Sequence, residues 1–388
     1  MSIQIRTIND DEVPAWVEAM NHGFLGFPRD DEAEQRRAGL DLDRTWAAFD
    51  EGQIVGTLRS FATEITVPGG AQVSAAGLTN VTVRATHTRR GLLTNMITPD
   101  LAASADRGEA VGILIAAEHP IYGRFGYGPA TRHATFEVDV HQAHLVRPGR
   151  GEVRYETDPA ALFEVVPALY EQVRHGQPGA IAWREGWWEH TLGVKPAPYE
   201  QEKGFHVVCR DAAGTATGYA FYTIDRKWEG RTPKGVLTVS RLYGVDLDST
   251  LALWRHVLHV DWVATVKAPD RSPDDPLPWC LSDPRVAKLT ECHDFVWLRV
   301  LDVAAALSAR RYRAAGSLVL DVLDPQGHAS GRWHLEGGPD GAECRRTDAG
   351  ADITLPAGEL GAIYLGDVAL SQLAAAGRVV EHSPGAVA

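Results

Sequence analysis

Residues 81–97 read VTVRATHTRRGLLTNMI, and this stretch decides how the first part of the chain folds. Its apolar alternation predicts a strand ending near Val83, and a helix is predicted to begin near Arg90 or Gly91. The first turn of a helix offers unpaired backbone N–H groups and a partial positive charge, which suits phosphate. Gly91 allows close approach of a ligand, and Arg89 and Arg90 add positive charge. The residues alone leave open a tight turn with two solvated arginines.

Strand and helix signals alternate on both sides of this stretch, which predicts an α/β domain. A hairpin is predicted at 46–49 and 54–61, around the turn 50–53. The apolar run 111–117 is predicted to be a strand buried on both faces. The remaining predictions are a strand at 2–6, a helix capped by Asn9 or Asp10 that carries Val13, Trp16, Val17 and Met20, and a strand at 133–140.

The middle of the chain repeats this order of elements, which indicates an internal structural repeat. The predicted elements are a strand at 152–156, a helix at 158–173, a hairpin at 206–210 and 217–224, a strand at 236–242, and a helix capped by Ser249 or Thr250. At the equivalent junction the second copy reads GVDLDSTLALW (244–254), with acidic residues and no Arg-Arg-Gly. Such a turn would repel pyrophosphate.

The last third carries no motif typical of catalysis. Residues 269–284 are rich in proline and aspartate and predict a long loop or a boundary. Beyond them the patterns predict strands at 296–300, 318–323, 332–335 and 353–355, and helices at 303–309, 358–365 and 369–376.

Composition limits the classes of function. The 388 residues include 38 Lys and Arg against 51 Asp and Glu, a net charge of -13, which disfavours nucleic acid as a partner. No apolar run reaches the roughly 20 residues of a membrane span, and the N-terminus lacks a signal-peptide layout, so we expect a cytoplasmic protein. The cysteines form no CxxC pair, which predicts free thiols and no structural zinc: Cys209, Cys280, Cys292 and Cys344.

The R-R-G turn resembles the acetyl-CoA loop of GNAT acetyltransferases. THTRRGLL (86–93) and IYGRFGYGPAT (121–131) together resemble the Eis, or enhanced intracellular survival, family. The resemblance extends over essentially the whole chain, including DPLPWCLSDPR (275–285), VWLRVLDVAAAL (296–307) and YLGDVALSQLAAAGRV (364–379). It implies mixed α/β sheets in two tandem GNAT-like domains, 1–140 and 141–288, with only the first binding acetyl-CoA. A sterol-carrier-protein-like domain, 289–388, would follow.

The resemblance also implies an activity and a site: acetyl-CoA-dependent N-acetyltransfer, without a metal, to small-molecule amines that include aminoglycosides. Tyr122 would be the general acid, with Tyr127 as a weaker competitor, and Phe24 would line the substrate pocket. The Val83 N–H would polarise the thioester carbonyl. The residues implied to bind acetyl-CoA are Val81, Thr82, Val83, Arg89, Arg90, Gly91, Leu92, Leu93, Thr94, Ala117 and Glu118.

The chain departs from the family pattern at three places. Thr88 stands where the superfamily usually has Gln or Arg, and Gly26 stands where a family acid is expected, although Asp30, Asp31, Glu32 and Glu34 follow. The family's general base is the carboxylate of the last residue, delivered by a short terminal segment. This sequence ends HSPGAVA, which we expect to stop before that segment, so Ala388 is not assigned as the base. Relatives often form hexamers, which the resemblance implies here.

Two other classes of function remain to be weighed. One is a non-catalytic acetyl-CoA or lipid sensor built on the same scaffold, which would bind acetyl-CoA without turnover. A hydrolase is disfavoured because the chain has neither a GxSxG elbow nor an HExxH helix.

Overall fold

The computed structural model describes residues 3–387. The strands in chain order are β1 (Gln4–Thr7), β2 (Thr45–Asp50), β3 (Gln53–Thr66), β4 (Gln72–Val83), β5 (Val111–Ile115), β6 (Gly128–Pro129), β7 (Arg132–Asp139), β8 (Glu152–Tyr155), β9 (Phe205–Arg210), β10 (Ala216–Asp225), β11 (Trp228–Glu229), β12 (Thr232–Pro233), β13 (Gly235–Gly244), β14 (Val263–Arg271), β15 (Ala287–Asp294), β16 (Val296–Val300), β17 (Gly316–Leu323), β18 (Gly331–Gly338), β19 (Gly341–Arg346), β20 (Ile353–Pro356) and β21 (Val380–Glu381). The α-helices are α1 (Val13–Gly23), α2 (Glu32–Arg37), α3 (Leu92–Asp106), α4 (His119–Tyr122), α5 (Pro159–Arg174), α6 (Glu185–Thr191), α7 (Leu247–Leu258), α8 (Leu277–Cys280), α9 (Val303–Ser308), α10 (Ala357–Ile363) and α11 (Leu370–Ala375).

The described residues form two compact units. The first unit runs from the start of the described chain to Thr131 and includes Gln177–Ala182 and the part from Phe295 onward. The second comprises Arg132–Gly176 and Trp183–Asp294. The chain therefore leaves the first unit and later returns to it.

The larger sheet of the first unit opens between two parallel strands. Its seven strands lie in the order β1-β2-β3-β4-β5-β16-β6. The parallel ladder between β4 and β5 runs from Ala75 opposite Val111 to Gly77 opposite Ile113. Strand β4 continues beyond this ladder to Val83. Strand β5 pairs along its other edge with β16. The ends of β4 and β5 thus border an opening in the sheet.

The two large sheets exchange strands along the sequence. The second unit has a seven-stranded sheet in the order β15-β7-β14-β13-β10-β9-β8, so β7 joins this sheet although it follows directly from the first unit. In return, β16 completes the first sheet after the second unit has been traversed. Apolar strands such as 133–140 and 296–300 are visible in the sequence, but their sheet is set by tertiary pairing. The domain limits at 140 and 288 stay predictions.

The C-terminal part forms a five-stranded sheet in the order β19-β18-β17-β20-β21, and it shares one apolar core with the first sheet. Val111, Leu298, Leu320 and Tyr364 all belong to that core. Helix α10 packs backbone to backbone against β6, so closely that a Cβ on Gly128 would lie 1.8 Å from a carbonyl oxygen of α10. The glycine is required for this contact.

The structure corrects several details of the sequence interpretation. Asp246, not Ser249 or Thr250, caps α7, and its carboxylate accepts the Ser249 N–H at 2.7 Å. Residues 269–284 are not one long loop, since β14 extends into them and α8 lies within them. The run 111–117 ends as a strand at Ile115, whose side chain is exposed. Strands β11, β12 and β19 had no clear sequence signal.

Ser2, the predicted start of the first strand, and Ala388 lie outside the described residues. Among the described residues, no helix is both long and apolar enough to cross a membrane. Three of the four cysteines are buried as free thiols, and Cys292 is exposed.

Candidate functional site

The start of α3 offers backbone N–H groups without a capping side chain. Gly91 occupies the position before the helix at φ 76°, a left-handed conformation that favours glycine, and no side chain caps this end. The helical hydrogen bond from the Asn95 N–H to the Gly91 carbonyl measures 3.0 Å. The N–H groups of Leu92, Leu93 and Thr94 precede it and have no carbonyl of their own helix to bond. Gly91 and Thr94 are exposed, so an anion can reach this end.

The loop before α3 is tied to the β2–β3 turn by a histidine. The His87 Nε2 lies 3.0 Å from an Asp50 carboxylate oxygen, and its Nδ1 lies 2.8 Å from the Thr86 hydroxyl. Arg90 is 3.9 Å from the same Asp50 oxygen, while Arg89 is exposed at φ 62°. Both arginine side chains therefore face solvent beside the open helix end. No sequence signal pointed to the His87–Asp50 contact.

Strand β4 brings its last residues beside the end of α1. Val81 and Val83 are half-buried, whereas Thr82 is buried, and its hydroxyl lies 2.8 Å from that of Thr57. Gly23 packs on Thr82 so closely that a Cβ there would lie 2.3 Å from the Thr82 side chain. Phe24 follows Gly23 and is 57% exposed, so its ring stands at the surface next to the end of β4.

The segment after β5 carries the remaining predicted residues. Ala117 and Glu118 are exposed, and Tyr122 ends the short helix α4 with its side chain buried. Burial first, and then the negative charge of Glu118, raise the pKa of Tyr122 above its ordinary value of 10. Its hydroxyl therefore holds a proton at neutral pH.

The competing tyrosine lies deeper in the core. Tyr127 is 2% exposed, and a Cβ on Gly112 of β5 would come within 2.7 Å of its hydroxyl oxygen. Burial raises the pKa of Tyr127 far above the ordinary value. The rings of Tyr122 and Tyr127 pack edge to face, with their centroids 6.3 Å apart. The core position of Tyr127 makes it the poorer donor to a ligand.

The acidic residues after α1 differ in how exposed their carboxylates are. Glu32 is buried and accepts hydrogen bonds from Arg36 at 2.6 Å and Asn21 at 3.2 Å. Burial opposes its ionisation, but these hydrogen bonds prevail, and the pKa of Glu32 is lowered. It is thus engaged within the fold. The carboxylates left facing solvent are those of Asp30, Asp31 and Glu34.

Comparison with known proteins assigns each part of the chain to a family. Residues 4–130 and 179–300 each match a family described as "Acetyltransferase (GNAT) domain", and residues 303–388 match "Sterol carrier protein domain". An uncharacterized N-acetyltransferase of Streptomyces avermitilis is 43% identical over 99% of this chain and 94% of its own length. N-acetyltransferase Eis of Mycobacterium tuberculosis is 38% identical over 98% and 93%.

Among solved structures, Eis1 of Mycobacterium abscessus superposes with a TM-score of 0.86 at 32% identity, over 99% of this chain and 95% of that one. The chain belongs to the Eis family of GNAT N-acetyltransferases. A GCN5-related N-acetyltransferase of Anabaena variabilis, with a TM-score of 0.83 at 18% identity over 98% and 94% of the two chains, shares the fold.

Membership of the Eis family confirms the predicted fold class, two GNAT domains followed by a sterol-carrier-like domain in mixed α/β sheets. It also makes the protein an N-acetyltransferase of the GNAT type, a class that uses acetyl-CoA. The residues that bind the cofactor and perform the transfer stay predictions.

The equivalent helix start in the second GNAT domain of this Eis-family enzyme is closed by acidic side chains. The Asp246 carboxylate caps α7, and Asp248 forms an ion pair with Arg147. Only two residues, Val245 and Asp246, separate β13 from α7, whereas eight residues separate β4 from α3. A phosphate would meet carboxylates where the first domain offers N–H groups. Within the described residues, no group of three or more His, Cys, Asp or Glu side chains is arranged to hold a metal ion.

Proposed function

We propose that this enzyme transfers the acetyl group of acetyl-CoA directly to an amine of a small, polyamine-like or aminoglycoside-type molecule. The observation that carries the proposal is the uncapped start of α3, which lies beside exposed Arg89 and Arg90. That helix is the first α-helix after the strand whose end borders the opening in the first sheet. In this proposal Arg89, Arg90, Gly91, Leu92, Leu93 and Thr94 bind the pyrophosphate, and Val81, Thr82, Val83, Ala117 and Glu118 border the pantetheine arm.

The chemistry is a single acyl transfer. The amine nitrogen forms a bond to the thioester carbon, and the Val83 N–H stabilises the negative charge that develops on the carbonyl oxygen. The carbon–sulfur bond then breaks, and the sulfur takes the proton of the Tyr122 hydroxyl. The amine proton goes to the general base and then, through solvent, to the Tyr122 phenolate, so the products are an amide and a free thiol.

The general base is not assigned to a described residue. Family resemblance points to the carboxylate of a terminal residue, and Ala388 lies outside the described part of the chain. Glu32 is a poor alternative because Arg36 and Asn21 already engage its carboxylate.

A cationic amine fits the surface around Phe24. The exposed carboxylates of Asp30, Asp31 and Glu34 follow closely along the chain, and the protein as a whole carries a charge of -13. Such a field attracts a polycation to the site. Phe24 in turn offers an aromatic face on which the apolar part of a substrate can pack.

A calorimetric experiment tests the cofactor site. Replacing both Arg89 and Arg90 by Gln should weaken acetyl-CoA binding by about 10-fold or more, because two charge-assisted contacts to phosphate are lost. Arg150→Gln is the matched control, since Arg150 is an exposed arginine 3.9 Å from Asp248 at the start of α7. Equal affinity in the double variant and the wild type would refute the proposed site.

We also propose a cytoplasmic hexamer with domain limits near 140 and 288, in line with the family resemblance. Native mass spectrometry of the full chain tests the assembly, with six copies as the expected result. A monomer at micromolar concentration would refute it.

A further inference from the structure

A fully buried ion pair connects the C-terminal sheet to the turn that follows Tyr122. Arg299 lies on β16 and Asp324 directly follows β17, and both side chains have no exposed surface. The Arg299 Nη2 lies 2.8 Å from an Asp324 carboxylate oxygen. The Nη1 of the same guanidinium donates to the carbonyl oxygen of Phe125.

Asp324 is itself held in one orientation. Its carboxylate accepts the backbone N–H of Gln326 at 3.0 Å and that of Ala329 at 2.9 Å. These bonds fix the carboxylate, and the carboxylate fixes the planar guanidinium of Arg299. The position of the guanidinium is thus set by the C-terminal domain.

The turn that accepts the hydrogen bond from Arg299 packs closely against the guanidinium. Gly126 has φ 78°, and a Cβ at this position would lie 1.9 Å from the Arg299 Nη1. A short 3-10 turn, Gly123–Phe125, leads from Tyr122 to this glycine, and the Gly126 N–H bonds back to the Gly123 carbonyl at 3.0 Å. Phe125 is 1% exposed. The Phe125 carbonyl is therefore a fixed point three residues from Tyr122.

Stability alone is a weak reason for such a pair. Taking two charges out of water costs several kcal/mol per ion, and well-packed apolar residues of similar volume are often as stabilising. A guanidinium differs from an apolar side chain in what it can do, since it holds a carboxylate and a carbonyl at the same time in a fixed plane.

We propose that Arg299 and Asp324 are positioning residues through which the C-terminal domain sets the location of the Tyr122 hydroxyl for acetyl transfer. The inference rests on the proposed role of Tyr122 as general acid. Displacing a catalytic group by about 1 Å can cost about 100-fold in rate. Loss of the pair should therefore lower kcat, while acetyl-CoA binding stays unchanged because neither residue belongs to the proposed cofactor site.

The test is a double-mutant cycle in the full-length protein. Asp324→Asn removes the charge and keeps one oxygen. That oxygen can accept the Ala329 N–H, whereas the Gln326 N–H, which bonds to the other carboxylate oxygen in the wild type, loses its acceptor. We expect kcat to fall about 10- to 100-fold with the KM for acetyl-CoA within about twofold of wild type. In a Tyr122→Phe background the same substitution should have almost no further effect, because the group that it positions is gone.

Asp352→Asn is the matched control. Asp352 also lies in the C-terminal domain and accepts a backbone N–H, that of Val319 at 2.8 Å, without contacting Phe125. Asp352→Asn makes the same type of substitution in the same domain, but it should leave kcat unchanged. Arg299→Lys keeps the charge balance and loses the two-armed guanidinium, so it serves in the same cycle if Asp324→Asn does not fold by near-ultraviolet circular dichroism.

The outcomes separate the two proposals. Equal fold losses from Asp324→Asn in the wild-type and Tyr122→Phe backgrounds would overturn the positioning role alone. An unchanged kcat in Tyr122→Phe by itself would overturn the general-acid proposal and the positioning role with it. A loss confined to the KM for acetyl-CoA would also overturn the positioning role.

Discussion

Tyr122 and Tyr127 lie five residues apart on one glycine-rich string, yet their surroundings differ. Tyr122 ends α4 beside exposed Glu118, whereas Tyr127 is enclosed in the core next to β5. Burial raises the pKa of both hydroxyls, which keeps them protonated, so protonation state does not distinguish them. Access to a ligand does, and it favours Tyr122.

Replacing Tyr122 by Phe should lower kcat by about 100- to 10,000-fold, because the leaving thiolate loses its proton donor. Calorimetric affinity for acetyl-CoA should stay near the wild-type value. Tyr127→Phe is the matched control and should keep kcat within a few-fold. A variant at Tyr122 with wild-type kcat would exclude it as the acid.

The raised pKa of Tyr122 also predicts the shape of the pH profile. The acid works in its protonated form, and burial keeps that form dominant up to pH values above 10. Deprotonation of Tyr122 should therefore cause no fall in kcat between pH 7 and 9. The profile is measured with the wild type and Tyr122→Phe, and a basic limb with its midpoint below pH 10 that disappears in the variant would contradict this assignment.

At the scale of elements, the two helices α3 and α7 begin in equivalent places with opposite chemistry. The sequence predicted this difference from Arg-Arg-Gly in one copy and aspartates in the other. It did not identify the capping residue, because Ser249 and Asp246 both have side chains that cap helices well. Only the structure shows that Asp246 holds the position and Ser249 supplies the N–H.

Removing the N-terminal cap of α7 should lower the stability of the protein without changing catalysis. Asp246→Ala should lower the free energy of unfolding by about 1 kcal/mol, because the Ser249 N–H loses its partner. The KM for acetyl-CoA should not change. Denaturant unfolding and initial-rate kinetics measure the two quantities, and a several-fold rise in that KM would indicate a second cofactor site at α7.

A second buried ion pair joins Arg44, just before β2, to Glu109, just before β5. Arg44 Nη2 lies 2.5 Å from a Glu109 carboxylate oxygen, and both side chains are buried. Glu109→Gln should cost up to about 3–5 kcal/mol of stability, because it removes the buried counter-charge of Arg44 and leaves only Asp41, whose carboxylate lies 3.3 Å from the Arg44 Nε. Thermal unfolding measures the loss, with the exposed pair Arg154–Glu152 as control through Glu152→Gln. Equal melting temperatures for both variants would contradict the prediction.

At the scale of the whole molecule, three domains in sequence become two compact units, each built from separate parts of the chain. The periodicity of 296–300 predicted a strand, and a single apolar strand carries no information about its sheet. Arg299 interrupts this apolar run with a charge, and the sequence does not show what that charge contacts. Its partner Asp324 could not be inferred, because the pairing depends on how the C-terminal sheet meets β16. The glycines of 121–131 signalled the family, and packing now explains Gly126 and Gly128.

The strand exchange predicts how fragments behave. Residues 1–140 alone lack β16 and α10, so the first sheet loses the strand between β5 and β6, and Gly128 loses its packing partner. We expect this fragment to show no cooperative thermal transition and no near-ultraviolet circular dichroism. Adding residues 295–388 in trans should restore both if the strand assignment is right. A cooperative transition of the fragment alone would contradict it.

The central claim is acetyl transfer at the first domain, and turnover measures it most directly. The full-length enzyme is mixed with acetyl-CoA, a panel of polyamines and aminoglycosides, and a thiol reagent, while mass spectrometry follows each amine. We predict thiol release above the rate with acetyl-CoA alone, matched mole for mole by acetylated amine. At acetyl-CoA concentrations below the wild-type KM, this rate should fall about 10-fold or more in the Arg89→Gln, Arg90→Gln double variant but not in Arg150→Gln. Acetyl-CoA binding without thiol release for any amine would contradict the account and favour a non-catalytic sensor.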